Sequence, residues 1–254
     1  MEAIINPRII LLLLSSVIMA LVIMFVPPVS QDPAYHNFAD QRYISGIPHF
    51  WNVVTNIPFL VLGITGFFKI QKQELTGIIP DLFRAYLTFF LGVVLTGLGS
   101  GYYHLDPSNS TLVGDRMAIT ISFMSFFVLI FGESISTKTA SRLLLPLLFL
   151  GLSSVVYWNI MEKLGTGDLR FYALVQFLPI LLIPLMLLFY GSCLSGRRWI
   201  LAILLVYGAA KITEMYDHQI YELIGFSGHS LKHLIAAFGA FLFLKGLEVR
   251  KPIK

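Results

Sequence analysis

The sequence predicts an all-α integral membrane protein, and three observations carry that prediction. Of its 254 residues, 56% are hydrophobic and only 13% are charged, with a mean hydropathy of +0.78; soluble domains carry about 25% charged residues. The apolar residues gather into eight runs, each close to the length that crosses a bilayer core of about 30 Å at 1.5 Å per residue. Lysine and arginine concentrate on alternate connecting segments. No connecting segment is long enough to build a soluble domain, and no tandem repeat or low-complexity stretch is present. A net charge of +4 would suggest a nucleic-acid partner in a soluble protein, but here it reflects where the basic residues flank the spans, so none is expected. The single cysteine, Cys193, excludes an internal disulfide and a cysteine-based zinc site.

The first run covers residues 9–26 and is closed by Pro27 and Pro28. Arg8 flanks it as in a signal peptide, but no small-x-small cleavage site follows, which favours an uncleaved helix. A polar, aromatic loop follows at residues 35–42. The second span, from about His49 to Phe68, carries Trp51, Asn52, Asn56 and Pro58, and buried amides of this kind must bond to neighbouring helices. Span three covers residues 85–104 and is rich in glycine at its end (Gly92, Gly97, Gly99, Gly101), which allows close approach by a neighbour. After the turn signal Asp106-Pro107-Ser108-Asn109, span four runs from about Asp115 to Phe131. Spans five to eight follow at residues 143–160, 171–190, 199–217 and 229–247. Lys211, Glu214 and Asp217 are spaced to form an ion-paired ladder at the end of the seventh.

Charge placement tests the eight spans. Of the 18 lysines and arginines, Lys211 and Lys232 fall within spans and four (Arg42, Arg116, Lys163, Arg170) fall on one side, leaving twelve for the other. The positive-inside rule then puts both termini in the cytoplasm.

The same alternation brings a set of polar residues to one face. Ser100 and His104 are four residues apart, as are His229 and His233, so each pair shares one face of a helix. Span three ends at His104, span four begins at Asp115 and span eight begins at His229, all on the extracytoplasmic side. Ionisable groups inside a membrane are expensive, and three histidines are the protein share of a catalytic zinc with a position left for water. The sequence therefore predicts a metal site at His104, His229 and His233, with the loop at residues 35–42 able to cover it. Asp115 reads as an acid of the site, as the cap of its helix, or as a fourth zinc ligand that would close the site.

Serine four before a histidine, aspartate eleven after it, and His-x3-His on the last helix together resemble the CREST superfamily of membrane hydrolases. Phe50-Trp51-Asn52 and Gly228-His229-Ser-Leu-Lys-His233 make the match closest to the alkaline ceramidases, including bacterial phytoceramidase-like members. The resemblance covers about residues 35–247. It implies a seven-helix ceramidase-like catalytic domain at residues 30–254, preceded by an extra transmembrane helix within residues 1–29. It implies zinc on His104, His229 and His233, an acid at Asp115 that holds the zinc-bound water, and a serine, Ser100, beside the metal. The implied reaction is hydrolysis of the amide of ceramide or a related N-acyl lipid, releasing a fatty acid and a sphingoid base. The alternatives are a lipid receptor of the same superfamily and a hydrolase of an acyl ester lipid. Animal alkaline ceramidases place a glutamate before Phe-Trp-Asn as part of a calcium motif. Here that position is His49, and the loop offers only Asp32 and Asp40, which leaves calcium binding doubtful. The sequence does not define an oligomeric state.

Overall fold

The computed structural model describes residues 7–253; residues 1–6 of the amino-terminal segment and Lys254 of the basic tail lie outside the described residues. Among the described residues ten α-helices follow one another: α1 (Pro7–Phe25), α2 (Phe50–Val54), α3 (Ile57–Gln71), α4 (Phe83–Leu105), α5 (Asn109–Ser134), α6 (Thr137–Lys163), α7 (Arg170–Phe189), α8 (Arg198–Met215), α9 (Asp217–Ile224) and α10 (Gly228–Val249). Among the described residues strand-like pairing is limited to two isolated bridges. The chain is an all-α, multi-pass membrane protein.

Among the described residues seven spans are long and apolar enough to cross a bilayer, with α2 and α3 counted as one broken span. The break has a chemical cause. Pro58, near the start of α3, has no N–H to give the preceding turn. The carbonyl it fails to serve is that of Val54; in the turn just before, Thr55 Oγ1 donates to the Trp51 carbonyl at 2.5 Å, which also accepts from Thr55 N, and Asn56 Nδ2 donates to the Asn52 carbonyl at 2.7 Å. The predicted seventh span corresponds to α8, but the chain does not simply end there. It turns by 80° into α9, and the two make an eighth span only if taken together.

One helix boundary corrects the sequence reading. α5 begins at Asn109, six residues before Asp115, because Ser108 and Thr111 form a capping box that starts the helix early. Arg116, counted above on an outside loop, is therefore buried inside α5. The charge bias survives its removal.

α4 packs along α3 and α5, α5 along α6, and α8 along α10. The centre of the bundle is aromatic, with Phe89 against Phe243 at 4.7 Å between ring centroids. At the end of the bundle away from the histidines, Arg250 forks onto the Glu133 carboxylate of α5 through Nη1 at 3.1 Å and Nη2 at 2.5 Å. Both side chains are fully buried, and this paired geometry fixes the tail after α10. α1 leans on α7, and among its described residues only Leu12 is buried. Its end is pinned by Arg170 Nη1, which donates to the Val26 carbonyl at 3.0 Å. The same guanidinium beside Asp168 holds that carboxyl down at about 2.

Candidate metal centre

His104, His229 and His233 come together, each fully buried, with one ring nitrogen from each lying within 4.8 Å of the others. His104 Nε2 and His229 Nε2 are 3.2 Å apart. Ser100 Oγ lies 3.5 Å from His233 Nε2. Asp115 is buried in the second turn of α5, and its Oδ1 has no hydrogen-bond partner. Asp115 is not a member of the metal-holding group, which comprises the three imidazoles.

The local sequence explains the convergence. His229 and His233 occupy the first two turns of α10, whose N-cap Ser227 accepts from Ser230 N at 3.2 Å. Asp217 Oδ1 accepts from Ser227 Oγ at 2.6 Å and from His229 N at 2.9 Å, and Oδ2 accepts from Ala39 N at 2.9 Å. One carboxylate thus ties α9, the start of α10 and the amino-terminal loop together. Asp217 is not a rung of the predicted ladder; Glu214 pairs instead with Lys211 and with Lys232, the latter at 3.0 Å. The glycine before His229 is required: a Cβ on Gly228 would stand 2.3 Å from the Thr213 carbonyl oxygen.

Gly99 does the same for the other half of the site. A Cβ there would sit 2.8 Å from the Gly114 carbonyl oxygen and 3.3 Å from Asp115 Cα, so the glycine lets α5 bring Asp115 against α4. Gly99→Ala is expected to cost about 1–3 kcal/mol by overpacking, read as a lower unfolding midpoint and weaker metal retention. Gly101→Ala, where a Cβ meets nothing within 4 Å, is the control and should lower neither.

The broken second span orients His233. Thr55 Oγ1 stands 3.0 Å from His233 Nδ1. Its only proton goes to the Trp51 carbonyl, so towards Thr55, the nearer of the two polar atoms at Nδ1, the imidazole donates and keeps a lone pair at Nε2; the Asn56 amide nitrogen stands farther off, at 3.4 Å. Asn52 Oδ1 accepts from Ser230 Oγ at 2.6 Å on the same helix. The amides noticed in the sequence therefore stand behind the site.

These residues fit a metal. Tetrahedral zinc with nitrogens at 2.0–2.1 Å spaces those nitrogens by about 3.3 Å, close to the 3.2 Å between His104 and His229. Lys232 Nζ lies 3.0 Å from His229 Nε2; an ammonium only donates, so that nitrogen also presents its lone pair to a cation. Ion and ammonium compete for this lone pair, and Glu214 gives the ammonium another partner.

The amino-terminal loop covers the cluster as expected. Phe38 packs over His104 at 4.7 Å and His229 at 4.3 Å between centroids. His36, His49 and His218 all hold this loop in place: His36, in the loop, bonds out to Tyr103 and Asn109, while His49 bonds the Asp40 carbonyl and His218 the Asn37 carbonyl. Asp32 and Asp40 serve local structure, Asp32 as the cap of a short turn and Asp40 as acceptor from Arg42 Nε and Trp51 N. Phe38, Lys232 and the capping role of Asp217 were missed by the sequence, since nothing local marks a loop phenylalanine or a second-layer lysine as near a distant histidine.

Below the site lies a cavity of about 340 Å³. Ser100, Asp115 and His233 line one end, and Phe126, Ile183 and Phe243 line the apolar remainder. α7 packs on α5, α6 and α1, and α8 on α10, while the backbones of α7 and α8 stay apart although side chains of both wall the cavity.

The ceramidase family model matches residues 34–206, which includes Ser100, His104 and Asp115. The match stops before His229 and His233, which join the group by geometry alone. No curated protein matches the chain. A match over about two thirds of the sequence, on an all-α bundle with these residues gathered beside an apolar cavity, shows that the chain belongs to the ceramidase family of membrane hydrolases.

Proposed function

We propose that the protein is a zinc-dependent intramembrane amidase that cleaves ceramide or a related N-acyl lipid into a fatty acid and a free amine. The observation that carries this reading is the buried group of three imidazoles opening beside Ser100 and Asp115 at one end of a long apolar cavity. When bound, the metal supplies Lewis acidity that brings the ionisation of water towards neutral pH. Asp115 accepts a proton from the attacking water and returns it to the leaving nitrogen, so both products leave with balanced protons. Ser100 donates a hydrogen bond to the oxyanion that forms at the carbonyl. It does not act as nucleophile, because no histidine remains free to activate it. Phe38 closes the outer end against bulk water, which strengthens each of these polar contacts. The apolar cavity holds the chains, and the weak seam between α7 and α8 gives them a path from the bilayer.

The test is mass spectrometry of ceramides and other N-acyl lipids incubated with the purified protein. Release of fatty acid that stops with chelator and returns with zinc is expected. Turnover indifferent to chelator, or no amide cleaved at all, sinks the reading.

Sidedness is part of the proposal. Both termini are cytoplasmic and the histidines lie towards the extracytoplasmic face, with α1 standing outside a seven-helix catalytic core at residues 30–254. Reporters fused after Lys254 and inserted at Asn109 are expected to report opposite sides. Agreement between them would mean the span count is wrong by one.

A further inference from the structure

Arg116 follows Asp115 in α5 and takes part in no ion pair among the described residues. It is 6% exposed. Nη2 donates to Gln31 Oε1 at 2.5 Å, and the guanidinium carbon stands 4.0 Å from the Trp158 ring centroid and 4.7 Å from that of Tyr172. Nη1 is buried with no partner. Aromatic faces recover part of the cost of burying a cation, but an unpaired guanidinium in low dielectric still lacks its counter-ion.

Among the described residues no carboxylate stands within ion-pair distance of Arg116, and Glu162, which accepts from Gln31 N at 2.6 Å and Trp158 Nε1 at 3.1 Å, is spent on the neighbours of the guanidinium rather than on the guanidinium itself. The cavity is lined by three cationic side chains, Arg116, Lys211 and Lys232, against two carboxylates, Asp115 and Glu214. Glu214 is shared by the two lysines. Asp115 leaves an oxygen unpartnered rather than pairing with its neighbour. Tyr35, of the amino-terminal loop, joins Arg116 in the cavity wall, and Gln31 of the same loop holds its guanidinium. That end carries Ser100 and His233, while the aromatic end lies beyond.

We infer that Arg116 is an anion subsite that binds an acidic group (a carboxylate, sulfonate or phosphate) on the polar half of the lipid substrate. The inference rests on the amidase reading only for which half of the lipid faces this end. An oxyanion there would give Nη1 its acceptor and balance the excess charge in one contact. Within the proposed class this favours N-acyl lipids whose amine-derived half carries an acidic group over ceramide itself, whose head is neutral.

Three probes without an amide test the subsite apart from hydrolysis: dodecyloxyacetate, its neutral counterpart dodecyloxyethanol, and dodecanoate. Each is titrated calorimetrically into the metal-loaded protein in nanodiscs. Dodecyloxyacetate is expected to bind about tenfold or more tighter than dodecyloxyethanol, the scale of one charge-assisted hydrogen bond. Arg116→Gln should erase that preference and Arg116→Lys should keep much of it. Equal binding of the two ethers by the wild type overturns the inference even if neither variant folds. A preference that survives Arg116→Gln overturns it too, since the anion would then be held elsewhere. Dodecanoate binding as tightly, with the same dependence on Arg116, would assign the subsite to the product carboxylate and overturn the headgroup assignment. None of these affinities depends on amide cleavage, so a failed lipid assay would sink the amidase reading without moving them.

Discussion

Replacing His229 and His233 together by alanine is expected to abolish metal binding, leaving a protein with essentially no zinc by elemental analysis. The expectation follows from ligand count. Three imidazoles converge on one point, and the double variant keeps one of them, His104. Binding to a preformed site also stabilises the fold, by about 2.7 kcal/mol when free metal stands at a hundred times its dissociation constant. Chelator should therefore lower the unfolding temperature of the wild type and leave that of the double variant unchanged. His36→Ala is the matched control. His36 bonds Tyr103 and Asn109 rather than joining the cluster, so its loss should loosen the loop while zinc content holds. Full zinc occupancy in the double variant would overturn the assignment.

How much of this was legible in the sequence depends on the kind of signal. Span existence was legible, because a bilayer imposes length and hydropathy on each crossing independently of what it packs against. The pairs Ser100/His104 and His229/His233 were legible because four-residue spacing on a helix is local geometry. Their meeting was legible through topology, since alternate spans put the end of α4 and the starts of α5 and α10 at one face. What failed was where local chemistry competes. The Ser108–Thr111 capping box starts α5 before the apolar run begins, and this moved Arg116 from a loop into the core. The chain bends sharply between α8 and α9, where Asp217 turns from a helix-face charge into an acceptor for three donors on two other segments. Phe38 over the imidazoles and Thr55 behind His233 are contacts across nearly the whole chain, and no short-range pattern encodes them.

Asp115→Asn is expected to reduce hydrolysis by roughly 10²-fold or more, the scale of a lost general base, while expression and zinc content stay close to wild type. Three roles for this carboxylate give different outcomes, and the structure has already removed one of them. As the cap of α5, Asp115 would tolerate asparagine with little change; but the cap is Ser108, and Asp115 lies in the second turn. As a fourth ligand it would close the site, and asparagine would cost zinc and activity together. Against that role, the metal-holding group comprises the imidazoles without it. As a base it needs a buried oxygen with no commitment elsewhere, facing the space where substrate and water meet. Oδ1 is buried without a partner, and Asp115 lines the cavity beside Ser100 and His233. Asparagine keeps the shape and can still accept a hydrogen bond, but it takes no proton at working pH. The loss should therefore appear in kcat, with KM for the lipid little changed, since binding in both states comes mainly from the apolar cavity. Ser100→Ala should lower kcat by up to about 10²–10³-fold, the scale of one lost oxyanion donor, with zinc content unchanged. Wild-type kcat in Asp115→Asn would take Asp115 out of the mechanism, and zinc lost in step with activity would make it a ligand.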